Sequence, residues 1–170
     1  NMFIGFDYSK HLYFPLVYMN QSTLQELVKI SPVQLNRGEL DLVQDLKQYH
    51  ESNSEYFSNK KVYLIRNQSK TGIGFLADTK GFYPDFILWQ IVDKKQYISF
   101  IDPKGVHNIR NILEHPKVQL HQTIKTEIQV QLNDPNIILN SFIISNSSFN
   151  DIRYRGAVDE TIEMFHDSNL

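Results

Sequence analysis

Two apolar runs separated by a short polar link constrain this chain more than anything else in it. Phe86–Val92 (FILWQIV) and Tyr97–Ile101 (YISFI) are rich in β-branched and aromatic residues, and Asp93–Gln96 (DKKQ) between them has the length and polarity of a hairpin loop. The pair is therefore expected to lie antiparallel. Pro84-Asp85 opens the first run and Asp102-Pro103-Lys104 closes the second. With an even loop, Asp85 falls opposite Asp102 or opposite Lys104. Both registers put Asp85, Asp102 and Lys104 on one sheet face, because side chains alternate with a period of two. Pro103 has no N–H to donate and marks the strand's end or a distortion in it.

That constellation has a chemistry. Mg²⁺ takes hard oxygen ligands, commonly one or two carboxylates with waters and a substrate phosphate. Asp85 and Asp102 supply such carboxylates, the Pro103 carbonyl a further oxygen, and Lys104 a positive charge. An acidic strand end beside a lysine is also what an ordinary solvated rim with a surface ion pair looks like.

At 170 residues the chain has the size of one domain, and its composition is that of an ordinary soluble protein. A net charge of −2 argues against a large unspecific polyanion-binding surface, so any affinity for nucleic acid has to come from a local basic patch or another module. Without cysteine there is no disulfide framework and no thiolate zinc site. No signal peptide or membrane-spanning run is evident, and a cytoplasmic location is expected. The start at Asn1-Met2 fits a piece of a larger protein.

Upstream, the dense apolar stretch of residues 1–20 reads as an extended segment packing on the core, and Ser22 with Gln25 as the start of a short helix ended by Pro32. A second helix begins near Arg37. Its expected buried stripe is Leu42, Val43, Leu46 and Tyr49, with Asp41, Asp45 and Gln48 outside. Glu39 precedes Leu42 and Val43 by three and four residues, which places a carboxylate on the core-facing side of the first turn, where it can serve as a third acidic metal ligand. The same spacing from Asn36 also makes a capping box, which the helix dipole favours. Lys61–Asn67 is an expected strand, Ser69–Gly72 a turn, and Ile73–Leu76 a short extended piece. Past Gly105, Ile109, Ile112 and Leu113 suggest helix, Pro116 a break, and Leu120, Ile124, Ile128 and Leu132 a helix with a stride of four. Asn136–Ser145 is the last expected strand, and residues 157–165 a short terminal helix. The order is helix, three strands, helix, strand.

Other chemistries lack their residues. Lys70-Thr71-Gly72 is not a phosphate loop, because the required order ends in Gly-Lys-Ser/Thr and opens a helix. The six histidines include no pair at helical ligand spacing, which disfavours zinc, although His107 could approach a phosphate. No Gly-x-Ser-x-Gly elbow and no cysteine nucleophile exist. A plain small-molecule α/β module is disfavoured by the lack of a glycine-rich turn from strand into helix.

The order of elements, with Pro84-Asp85 on the second strand and Asp102-Pro103-Lys104 on the third, resembles the PD-(D/E)xK restriction-endonuclease-like superfamily. The strings Tyr63–Asn67 (YLIRN), Gly72–Phe75 (GIGF), Gly81–Trp89 (GFYPDFILW) and Phe100–Gly105 (FIDPKG) look like the nuclease domain that follows the helicase core in type III restriction-type proteins. The likeness includes His11–Leu16 (HLYFPL) and Leu35–Glu39 (LNRGE), and spans roughly Leu12 to Phe165. It implies an α/β fold with a mixed central sheet flanked by helices. One nuclease-like domain over 1–170 is expected, its core at about 36–146, as part of a helicase or restriction protein.

The resemblance also implies roles. Asp85 and Asp102 match the metal-binding acids, Lys104 the catalytic lysine, and Glu39 the acid many members carry on the first core helix. The second acid is Asp where many members have Glu, one methylene shorter. The implied activity is Mg²⁺-dependent (or Mn²⁺-dependent) hydrolysis of DNA phosphodiesters, with DNA, the parent protein's helicase core and a modification subunit as partners. Arg66, Asn67, Lys94, Lys95, Arg153 and Arg155 are basic or polar residues with the chemistry to touch a DNA backbone. The rival expectation is a non-catalytic nucleic-acid-binding or interaction domain attached to a helicase. With neither helicase motifs nor a target-recognition module, the chain alone should show little sequence specificity.

Overall fold

In the computed structural model, residues 2–5, 16–19, 33–75, 81–103 and 114–145 are described. The expected helix after Ser22, the segment around Ile109–Leu113, the tail at 157–165, and Lys104, His107, Arg153 and Arg155 lie outside them. The centre is a four-stranded mixed sheet in the order β3, β4, β5, β6, comprising Lys60–Arg66, Phe86–Val92, Lys95–Pro103 and Ile137–Ile144. The first two pairings are antiparallel and the last is parallel. A separate antiparallel pair joins β1 (Met2–Gly5) to β2 (Leu16–Met19), and Tyr18 packs against the core.

Helices cover both faces of the sheet. Helix α1 (Arg37–Ser52) and the preceding Leu35 press Leu35, Leu40, Leu42 and Val43 onto Leu64, Phe86 and Ile101. On the other face, Leu120 of α3 (Pro116–Thr123) and Ile124 of the π turn that follows pack with Phe82, Ile87 and Phe100. Phe86 and Ile87 thus serve opposite layers, as the pleat requires. Helix α2 is a single turn (Ser54–Phe57), and α4 (Gln129–Leu132) ends the π segment.

Three details differ from the sequence reading. The β4–β5 link is two residues, with Val92 paired to Lys95. Asp93 adopts a left-handed φ of 54°, a conformation aspartate tolerates, and this tightens the turn and draws Lys95 and Gln96 into the strand. Tyr49, expected in the buried stripe, is 55% exposed near the end of α1, while Leu40 takes a place in the core. Leu132 is also exposed, because a stride of four drifts by about 40° per step in a helix of 3.6 residues per turn. The π turn Ile124–Ile128, closed by Gln129 N–H donating to the Ile124 carbonyl, falls within that stride.

Candidate metal centre

The C-terminal end of β3, the N-terminal end of β4 and the C-terminal end of β5 meet at one edge of the sheet. Arg66 pairs with Phe86 and Phe86 with Ile101, so one further step along the register puts Asp85 across from Asp102. Asn67 fixes the approach to Asp85. Its backbone N–H donates to the Asp85 carbonyl at 2.8 Å, and its Nδ2 donates to the carbonyls of Pro84 at 2.8 Å and Ile73 at 2.7 Å. Its Oδ1 accepts the Ile73 N–H at 3.0 Å. Gly72 leaves room for that oxygen, which a Cβ at 72 would meet at 2.1 Å. This accounts for the glycine in the Ser69–Gly72 turn, since any larger residue would push Asn67 out of its brace.

Asp102 is 4% exposed and Asp85 half-buried, and the two side chains share a hydrogen bond. A buried carboxylate pair cannot comfortably carry two charges. Burial first, then the charge and hydrogen bond of Asp102, then the charge of Glu39, push the Asp85 carboxyl up to about 7, with Lys117 opposing. Near neutral pH Asp85 therefore exchanges a proton readily. It also has the proton affinity that general acid or base chemistry needs.

Glu39 sits at the same sheet edge but is held from the other face. The pleat places Arg66 with Leu64 on the α1 side and Asp102 with Phe100 on the α3 side. Glu39 closes the capping box of α1: its N–H donates to Asn36 Oδ1 at 3.0 Å, and its Oε2 accepts the Asn36 N–H at 2.9 Å. Arg66 Nη2 donates to the same Oε2 at 3.1 Å, and its guanidinium also bonds the carbonyls of Val33 and Gln34. Both ends of this pair are nearly buried. Glu39 is thus felt electrostatically by Asp85 while its carboxylate is engaged elsewhere. Among the described residues, no three histidine, cysteine or acidic side chains are grouped so as to hold a metal ion. The two-carboxylate set of Asp85 and Asp102 remains, and in number and hardness it suits Mg²⁺, which commonly keeps several waters.

The site contains a residue that sequence reasoning missed. Lys117 Nζ donates to Asp102 Oδ2 at 2.7 Å and lies 4.3 Å from the centre of the Phe82 ring. Its backbone N–H donates to Nδ1 of His115, the N-cap of α3. Of the basic candidates, Arg66 is turned inward on Glu39 and Asn67 onto backbone. Lys94 and Lys95 lie at the far end of the β4–β5 hairpin, about 20 Å of strand away from Asp85 and Asp102. They are too distant to touch a phosphate held at the acids. The Pro103 ring shares the parity of Ile101 and lines a groove of about 300 Å³ with Gly38, Leu42, Leu46 and Ile144, on the face away from Asp102. Lys104 lies just past the last described residue of β5. No helix among the described residues is long and apolar enough to cross a membrane.

Comparison of the chain with protein-family models, with curated proteins and with solved structures finds no match.

Proposed function

We propose that this chain is a restriction-endonuclease-like domain that hydrolyses DNA phosphodiester bonds with Mg²⁺ or Mn²⁺, as the cleavage module of a helicase-linked restriction protein. The observation that carries the reading is the meeting of the Asp85 and Asp102 carboxyls at the open end of an antiparallel strand pair. The mixed sheet with a helix layer on each face is compatible with it. In this reading Asp85 and Asp102 hold the cation, which when bound polarises the phosphate and lowers the pKa of a coordinated water. Asp85 releases its proton as the pair becomes fully charged. Lys104 donates to a phosphate oxygen where negative charge accumulates. Glu39, neutralised by Arg66, acts on Asp85 through its field and through the start of α1. Supercoiled and linear DNA incubated with the purified domain and a Mn²⁺ or Mg²⁺ titration tests this. Cleavage is expected in the wild type and its loss in D102N and K104A, with far-UV circular dichroism unchanged. Equal cleavage by either variant overturns the mechanism.

One observation favours a second reading. Arg66 and Lys117 already compensate two of the three acids, as they would in a domain that binds nucleic acid or a helicase partner without turnover. That reading expects DNA binding insensitive to Mn²⁺ and no cleavage.

A further inference from the structure

The placement of Lys117 runs against the helix that carries it. It lies in the first turn of α3, directly after Pro116, where the partial positive charge of the helix N-terminus disfavours a cation and where the turn itself carries no acidic side chain. The ammonium is also largely removed from water, with the side chain 29% exposed, and removing it has a desolvation cost. Two contacts balance this: the Phe82 ring face and, far more strongly, the buried Asp102 carboxylate at 2.7 Å. Lys117 therefore sits where it does because of the negative charge at the acid pair.

We propose that Lys117 is a built-in counter-ion of the Asp85–Asp102 pair that a divalent cation has to displace, and that it thereby sets how tightly the pair takes that cation. The proposal rests on the metal-site reading above. The oxygen to which Lys117 donates, Asp102 Oδ2, belongs to the more deeply buried of the two candidate ligands. An ammonium is a compact point charge on a flexible stem, so it can leave an oxygen without moving the backbone. Two cations close to one carboxylate repel each other, and arrival of a divalent ion drives the ammonium outward. Asp102 thus stays paired with Lys117 when no divalent ion is bound, and binding exchanges one cation for another. Metal affinity is held down by that exchange.

Isothermal titration of the metal-free protein with MnCl₂ reads this without reference to cleavage. K117Q should bind Mn²⁺ about tenfold more tightly than wild type, the scale of removing one partly screened competing charge. K117R, which keeps the charge, should bind more weakly than K117Q. D102N should abolish binding in either background. A measurement on the unmodified protein covers the case in which K117Q does not fold. The reactivity of the Lys117 amine toward an acylating reagent, read by peptide mass, should rise several-fold at saturating Mn²⁺ as its ion pair opens. Equal or weaker Mn²⁺ binding by folded K117Q, or unchanged Lys117 reactivity at saturation, overturns the counter-ion role while leaving the metal site standing. Absence of Mn²⁺ binding by wild type and K117Q alike overturns the metal-site reading, and this inference with it.

Discussion

The proton on Asp85 makes the acid pair measurable through stability alone. D85N replaces the protonated carboxyl with an amide of the same shape that still donates to Asp102 and never titrates. In the unfolded chain Asp85 ionises near its ordinary value of 3.8, and in the folded protein near 7. The folded state thus binds the proton more tightly, and the stability contributed by this group is full below 3.8, falls as pH rises, and is gone above about 7. The gross linkage between those two values is about 4 kcal/mol, and because Asp85 is only half-buried and solvent screens it, about 1–2 kcal/mol is expected in practice. For a chain of this size that amounts to about 3–6 °C in Tm. Thermal unfolding of wild type and D85N in metal-free buffer, taken from pH 4 to pH 9, isolates the effect, since the other titrating groups are common to both. The wild type should lose stability relative to D85N across pH 4 to 7 and run parallel to it above. Parallel profiles through that window, or a relative gain by the wild type, would refute the shared-proton account.

Two further outcomes follow from the contacts that hold the site. R66M leaves the buried Glu39 carboxylate without its guanidinium and should cost about 2–4 kcal/mol in urea unfolding, much of it recovered in E39Q/R66M; a loss below about 1 kcal/mol would show that the pair contributes little. N67A removes the donors to Pro84 and Ile73 and should cost about 1–3 kcal/mol, with the backbone amide at position 67 exchanging faster than in the wild type as measured by hydrogen exchange; unchanged exchange would mean that the turn holds itself.

The strands were the legible part of this chain. Five of the seven letters in Phe86–Val92 are β-branched or aromatic and leave little choice, and parity alone put Asp85 on the face of Asp102, while the choice of Asp102 over Lys104 as its partner came only with the register of the two-residue turn. Helix α1 was legible for a similar reason, since Asn36 and Glu39 mark its start and Leu42 and Val43 its buried side. Where sequence reasoning misplaced residues, local chemistry was overridden by geometry. Lys95 and Gln96 read as loop because they are polar, yet the left-handed Asp93 closes the turn early and puts them in the ladder. Arg66 and Asn67 read as candidate contacts to a DNA backbone at a strand end. Their partners, Glu39 at 27 positions' separation and Pro84 at 17, are visible only once β3 and β4 are paired. Lys117 left one faint trace, a lysine just inside a helix start whose first turn carries no acid, and its partner 15 positions away was hidden by the fold.

The identities of the two cations separate the roles of the acids they meet. Arg66 is planar and multiply bonded, anchored on the carbonyls of Val33 and Gln34 as well as on Glu39, so releasing Glu39 would break a network that also defines the start of α1. Lys117 holds Asp102 through a single ammonium on a flexible stem, over an aromatic face that tolerates its movement. Three carboxylates against these two cations leave one negative charge, and the proton on Asp85 removes it. Below about pH 7 the cation-free cluster is therefore neutral, with a fixed portion at Glu39 and an exchangeable portion at Asp85 and Asp102. In the metal-site reading proposed above, a divalent ion carries two positive charges, which is the exchangeable portion's own complement: the proton would leave Asp85 and the ammonium would leave Asp102. In that reading the cation's arrival would be an exchange in which the charge at the sheet edge stays constant, while Glu39, held by Arg66 and the α1 capping box, acts on Asp85 through its field.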